Sequence, residues 1–431
     1  MTPAARLAAL AELLEEIAAA DSPAEGIVAA YFRARRFAGS KDRRWITERV
    51  FEALRRQGEL AGAATAVGLP ATGRVLALLY LLRIDRLDMV DVTAGWFGGP
   101  HGLSVPDDDE ALALSRAARL DDEAMGDVAL SNFPDWLYQK ITDQYGAGAA
   151  AVMAAYHEGA PVTFRVNALK ATRDDLLHLL REEGIDALPT ALSPDGITLD
   201  GRINLSRHPF VEGGLVEPQD EAAQIAARLA GAESGMMVID FCAGGGGKSL
   251  AMAAMMGNSG MIHAFDIEGR RLRDIRGRAR RAGVRIIHPH VLRDDADEVL
   301  LPLAGAANRV FVDAPCSGSG TWRRQPDQKW KFSGERLDGL VKTQQEILAR
   351  AAPLVAPGGI LIYATCSILR EENEEQVAAF LAAHMEFDLL PVSMIWTAAG
   401  LGGQWDQDFL SLTPADFGSD GFFVALLQKR N

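Results

Sequence analysis

From Val211 onward, short apolar runs alternate with helical patterns, and this regularity restricts the fold more than any other feature of the chain. MMVIDF, GMIHAFDI, RVFVDAP and GGILIYAT read as buried strands, with EAAQIAARLA and LVKTQQEILARAAPLV as helices. Strands alternating with helices pair in parallel and carry helices on both faces. Residues 211–431 are therefore expected to form an α/β fold, a doubly wound, Rossmann-like sheet. In such sheets ligands bind beyond the carboxyl ends of the strands. Asp240, Asp266, Asp313 and Cys366 fall at those ends.

The first strand runs into DFCAGGGGKSL, four consecutive glycines from Gly244 to Gly247 followed by Lys248. A phosphate-binding P-loop needs a glycine five positions before the last glycine of its Gly-Lys-Ser, so that successive N–H groups wrap the phosphates. Cys242 stands there, which removes a nucleotide triphosphatase from consideration. What is left is a strand, a tight turn and a helix beginning near Lys248. Asp266 ends the next strand about 20 residues on, where an acid accepts hydrogen bonds from ribose hydroxyls. The pair fits a dinucleotide or S-adenosylmethionine, and the absence of GxGxxG spacing weighs against the dinucleotide.

The three cysteines, Cys242, Cys316 and Cys366, show no CxxC spacing, and no histidines cluster with them, so neither a disulfide framework nor a zinc site is expected. Buried structural cysteine is common. However, VDAPCSGSG places Cys316 three residues after Asp313, and YATCS places Cys366 at the next strand end. Two thiols and a carboxylate delivered to one sheet edge point to nucleophilic chemistry.

The remaining chain reads as two further parts. Residues 1–125 show apolar spacings of three and four with breaks at Asp21-Ser-Pro, Gly39-Ser, Leu69-Pro and Gly98-Gly-Pro, an all-α domain. Residues 126–210 mix helices (WLYQKITDQYG, TRDDLLHLLREEGI) with strands (APVTFRVNAL, GITL), a small α+β module. At 431 residues the chain has length enough for two or three domains. No apolar run approaches the roughly 20 residues of a membrane span, and the acidic N-terminal helix pattern is unlike a secretory signal, so a cytoplasmic location is expected. The net charge of −14 opposes a nucleic-acid partner only in sum. RRLRDIRGRARRAGVRIIHPHVLR and RARRFAGSKDRR concentrate arginine, either as solvated helix faces or as positive surface kept for phosphates.

The motifs DFCAGGGGKS, AFDIE, VDAPCSGSGTWRRQPDQKW, PGGILIYATCS with EENEEQV, and DGFFVA together resemble the RsmB/Sun (Fmu) family of RNA 5-methylcytosine methyltransferases. APVTFRVNALK and EGGLVEPQDEAAQ are similar to that family's small N-terminal module. SKDRRWITERVFEALRR resembles the NusB-like RNA-binding extension of its RsmB branch. The resemblance implies a class I methyltransferase domain over 211–431, an RRM-like module over 126–210 and a NusB-like domain over 1–125. It implies C5 methylation of a cytosine in RNA, small-subunit ribosomal RNA above transfer RNA, by a monomer without metal; the alternative is a non-catalytic RNA-binding ribosome-assembly factor that keeps the fold. Cys366 would attack C6 of the base, Asp313 would serve as proton donor, and Cys316 would be needed for release, as the base or by positioning one.

S-adenosylmethionine would lie against Cys242, Ala243, Gly244, Gly245, Gly246, Gly247, Lys248 and Asp313. Asp266 would meet the ribose, and Asp295, with Asp294 as the other candidate, the adenine. Arg323, Arg324, Lys329 and Lys331, interleaved with Trp322 and Trp330, would either bind RNA or close the sheet edge. The chain departs from the family in having Gly244 and Gly245 where Ala or Pro and then Pro usually stand, which makes the turn more flexible and bears on cofactor affinity.

Overall fold

The computed structural model describes residues 1–199, 208–293 and 297–431. They divide into two compact units: Met1–Gly159 with Trp322–Phe332, and Ala160–Thr321 with Ser333–Asn431.

The first unit is helical. Its opening helix, Pro3–Ala19, has Pro3 in the first turn and Thr2 as its cap, the Thr2 hydroxyl accepting the Ala5 N–H. Leu7, Leu10, Leu14 and Ile17, spaced three and four apart, give the helix one buried face. The acidic segment before Asp108–Ala118 supplies that helix's cap, Asp107. The helices Asp135–Tyr145 and Ala149–Ala154 belong to this unit, so the compact division falls after Gly159 rather than near residue 125.

Trp322–Phe332, remote in sequence, completes the unit. Trp322 is 2% exposed and lies between Phe133 and Phe332, at ring-centroid distances of 6.3 and 5.8 Å. Asp327 Oδ2 accepts the N–H of Ala24 at 3.1 Å, capping the helix Ala24–Ala34, whose own cap residue Pro23 offers no side-chain acceptor. Lys329 is 1% exposed; its amino group donates to the Arg55 carbonyl and sits 4.9 Å from the Phe133 ring centroid. Trp322, Arg323 and Lys329 are thus buried among helices, which corrects their reading as an RNA-stacking surface. Sequence showed alternating basic and aromatic residues, but such a run serves equally as a core strip with buried amines.

The second unit contains two sheets. The smaller is antiparallel, in the order β2-β3-β1-β4, from β1 (Val162–Val166), β2 (Ala187–Pro189), β3 (Gly196–Leu199) and β4 (Val216–Pro218). Its helix, Arg173–Glu182, starts at a capping box between Thr172 and Asp175.

The larger sheet has eight strands: β5 (Met237–Asp240), β6 (Met261–Asp266), β7 (Ile287–Val291), β8 (Ala307–Asp313), β9 (Val355–Thr365), β10 (Phe387–Leu390), β11 (Leu410–Leu412) and β12 (Phe422–Lys429). Its order is β10-β12-β9-β8-β5-β6-β7, with β11 against β12. The pairs from β7 to β9 are parallel, and β12 is antiparallel to β9. The chain leaves β5 toward β6 and β7, then returns to β8 on the other side, so the switch point lies between Asp240 and Asp313. That crevice is where an open α/β sheet binds its ligand. The basic run after Gly269 proves to be a helix, Gly269–Ala282, and then β7, whose sequence IHPHV breaks strand patterning with a proline.

Candidate active site

A cavity of about 560 Å³ opens at the switch point. Its wall includes Cys242, Ala243, Gly244, Gly245, Gly247, Lys248, Asp266, Asp313, Cys316 and Cys366, gathered from the ends of β5, β6, β8 and β9 and the loops that follow them. Asp295 lies outside the described residues. Gly246 does not line the cavity: it turns with φ +77°, and a Cβ there would stand 2.7 Å from Ile275. Gly246 therefore shapes the turn from behind.

The turn is fastened at two points. The Gly244 N–H donates to Asp266 Oδ2 at 2.8 Å, while Asp266 Oδ1 accepts the Glu268 N–H at 2.7 Å. An ionised carboxylate has about four lone-pair sites, so Asp266 keeps acceptor capacity toward the cavity. On the other side, the Arg278 guanidinium donates to the Gly245 carbonyl at 2.5 Å and to Glu217 on β4 at 2.9 Å.

The floor is electrostatically loaded. Asp240 is 1% exposed; its Oδ2 accepts the Ser249 hydroxyl, and its Oδ1 has no hydrogen-bond partner. Burial, with the Asp313 charge adding, pushes the Asp240 carboxyl up to about 7. The Lys248 ammonium donates to Asp313 Oδ2 at 2.6 Å. Burial alone would favour its neutral form, but the Asp313 charge and hydrogen bond outweigh it and the Lys248 pKa is raised. Lys248, expected beside the cofactor, thus lines the cavity in an ion pair with Asp313. Burial and the neighbouring carboxylates hold the Cys242 thiol well above its ordinary range, so Cys242 lines the cavity as a thiol.

Sγ of Cys316 and Sγ of Cys366 are 3.3 Å apart. The hydrogen bond with Cys366, then burial, keeps Cys316 protonated far above the usual thiol range. The loops are joined backbone to backbone: the Gly320 N–H donates to the Cys366 carbonyl at 2.9 Å, and the Gly421 N–H to the Gly320 carbonyl at 2.9 Å. Two thiols, a carboxylate and an ammonium around one cavity can carry nucleophilic addition with proton transfer. Among the described residues, no group of three or more His, Cys, Asp or Glu side chains is arranged to hold a metal, and no helix is long and apolar enough to cross a membrane.

Sequence reasoning missed Arg278, Glu372 and the glycine pair Gly320 and Gly421. Arg278 was hidden in a run of arginines, and Glu372 in a run of glutamates; neither run marks which member turns inward.

Two family models match the chain. One, described as 16S rRNA methyltransferase RsmB/F, covers residues 227–428, and one, described as an RsmF/B-like ferredoxin-like domain, covers 133–206. The chain is 34% identical over 303 residues to a probable ribosomal RNA small subunit methyltransferase B of Bacillus subtilis, covering 70% of this chain and 67% of that protein. It is 30% identical over 411 residues to a protein of the same description from Synechocystis, covering 90% and 91%. A solved methyltransferase homologue from Pyrococcus horikoshii, 25% identical, superposes with a TM-score of 0.59 over 70% of this chain and 96% of that one.

Proposed function

The chain belongs to the RsmB/F family of ribosomal RNA methyltransferases, and from that premise we propose that it methylates C5 of a cytosine in small-subunit ribosomal RNA through a covalent Cys366 adduct. The observation that carries this reading is the 3.3 Å approach of the Cys316 and Cys366 thiols at the wall of the same cavity as the glycine turn.

The family uses S-adenosylmethionine, and the cavity fits it. Its size lies within the roughly 300–1,000 Å³ of small-molecule sites. The glycine turn leaves open space over Gly244, where an added Cβ would meet nothing within 4 Å. The orphaned Oδ1 of Asp240 offers a buried polar atom to a ligand. Gly244, Gly245 and Gly247 would hold the cofactor's backbone-facing side and Asp266 its ribose. When bound, the cofactor supplies an electrophilic methyl group.

Cytosine C5 is too weak a nucleophile to take that group unaided. The Cys366 thiolate adds to C6 and pushes electron density onto C5. Charge then develops on the O2/N3 edge, and the Asp313 carboxyl meets it; the Lys248 ammonium at 2.6 Å supplies the proton that a bare carboxylate lacks. Cys316, held as a thiol, is needed afterwards, when the C5 proton passes to a base that Cys316 positions, the C–H electron pair restores the C5–C6 double bond, and the C6–S pair returns to Cys366 as the thiolate. Reaching the base requires a single-stranded or flipped nucleotide.

Incubating the protein with small-subunit RNA and methyl-labelled cofactor should put label on cytosine C5. Cys366→Ala should lose both turnover and protein–RNA adduct, and Cys316→Ala should lose turnover while adduct accumulates on denaturing gels. The reverse pattern for the two variants would overturn the assignment.

A further inference from the structure

Glu372 has no part in the steps above, yet its carboxylate touches both cysteine loops. It is fully buried. Oε1 accepts the Ser317 N–H at 2.8 Å and the Gln344 amide at 3.0 Å, while Oε2 accepts the Ser317 and Ser367 hydroxyls, each at 2.5 Å. Ser317 follows Cys316 in the chain and Ser367 follows Cys366. One acceptor-only group thus takes four neutral donors, three of them from the two residues next to the thiols. A buried network of this kind favours a single geometry, because moving either loop would leave the carboxylate or a serine unpaired. A carboxylate is the side chain that can do this without presenting a donor of its own.

We propose that Glu372 is a positioning residue that clamps the two cysteine loops in one register, so that the Cys316 thiol stays beside Cys366 for the release step. The inference rests on the reading of the two cysteines given above. A displacement of one loop by an ångström would leave each thiol in place yet part them, and misplacement on that scale costs about a hundredfold in rate.

The test reads the spacing directly, without RNA. Diamide takes one hydrogen from each thiol and leaves a disulfide. In the native protein the Cys316–Cys366 bridge, mapped by peptide mass, should form readily, because the sulfurs have to close only from 3.3 Å to about 2.05 Å. In Glu372→Ala the bridge should form about tenfold more slowly or worse, and in Glu372→Gln, which keeps the packing and one oxygen, about threefold more slowly. Turnover of Glu372→Ala should fall by about a hundredfold with the KM for cofactor held within about twofold, and RNA adduct should accumulate as in Cys316→Ala. If Glu372→Ala does not fold, the Gln variant carries the test. Bridge formation at the native rate in the folded variants overturns the proposal. A slowed bridge in a protein that methylates no RNA upholds the positioning role and removes the functional reading instead.

Discussion

Arg278 shows how much a single side chain can replace. The family's usual proline would stiffen the turn by itself; here two glycines stand there, and the Gly245 carbonyl is held by a guanidinium anchored on Glu217, whose side chain is 3% exposed. A hydrogen bond to a charged donor contributes about 1.5–3 kcal/mol. Arg278→Met should therefore weaken S-adenosylmethionine binding by about tenfold or more, read by calorimetry, since about 1.4 kcal/mol corresponds to tenfold. An unchanged Kd would mean that the glycine turn keeps its shape unaided. None of this was legible from the run of arginines, because a helix's inward members are set by what it packs against. Leu272 and Ile275 mark the buried face of Gly269–Ala282, and Arg278 lies three residues beyond Ile275 on that side.

At the scale of elements, the four strands read beyond Val211 became β5, β6, β8 and β9, because long apolar runs between helices have few other folds available. β7 escaped notice because IHPHV is polar and holds a proline, a composition tolerated on an edge strand. The short β10 and β11 gave no signal, and β12, the antiparallel neighbour of β9, was visible only as part of the DGFFVA motif. The candidate site was legible as a set of strand ends; the glycines that hold those ends together were not. A Cβ on Gly320 would stand 2.1 Å from the Gly421 carbonyl, and one on Gly421 would stand 2.6 Å from Ile368. This is backbone contact that no side chain can share. Gly421→Ala should cost about 1–3 kcal/mol and lower Tm by several degrees in a thermal scan. Because Gly320 holds the Cys366 carbonyl, the same variant should also lose methyl transfer activity in the labelling assay. A variant with native Tm and native activity would show that the two loops part without cost.

For the whole molecule, the informative segment is Trp322–Phe332, which belongs to the helical unit although the chain reaches it only after β8. It brings a buried amine. Burial, with the Arg55 charge adding, lowers the Lys329 pKa from 10.5 to about 7. Between those values the folded state holds a neutral amine and the unfolded state an ammonium, so the unfolded state binds more protons and stability rises with pH across that window. The stability is lost as pH falls through about 7. Lys329→Met should raise Tm most at or below neutral pH, with the advantage shrinking toward the alkaline end of the window; a pH-independent difference would contradict this account.

The same segment ties the helical unit to the order in which the chain is made. Residues 160 to 321 separate its two parts. At about 5–20 residues per second of synthesis, the first part waits for roughly ten to thirty seconds before Trp322 and Asp327 exist. During that interval the helix Ala24–Ala34 lacks its cap, and Phe133 lacks the indole packed against it in the finished fold. The helices made before β5 are thus completed only after β5 to β8 have been made, and before β9 to β12 exist to finish the second unit.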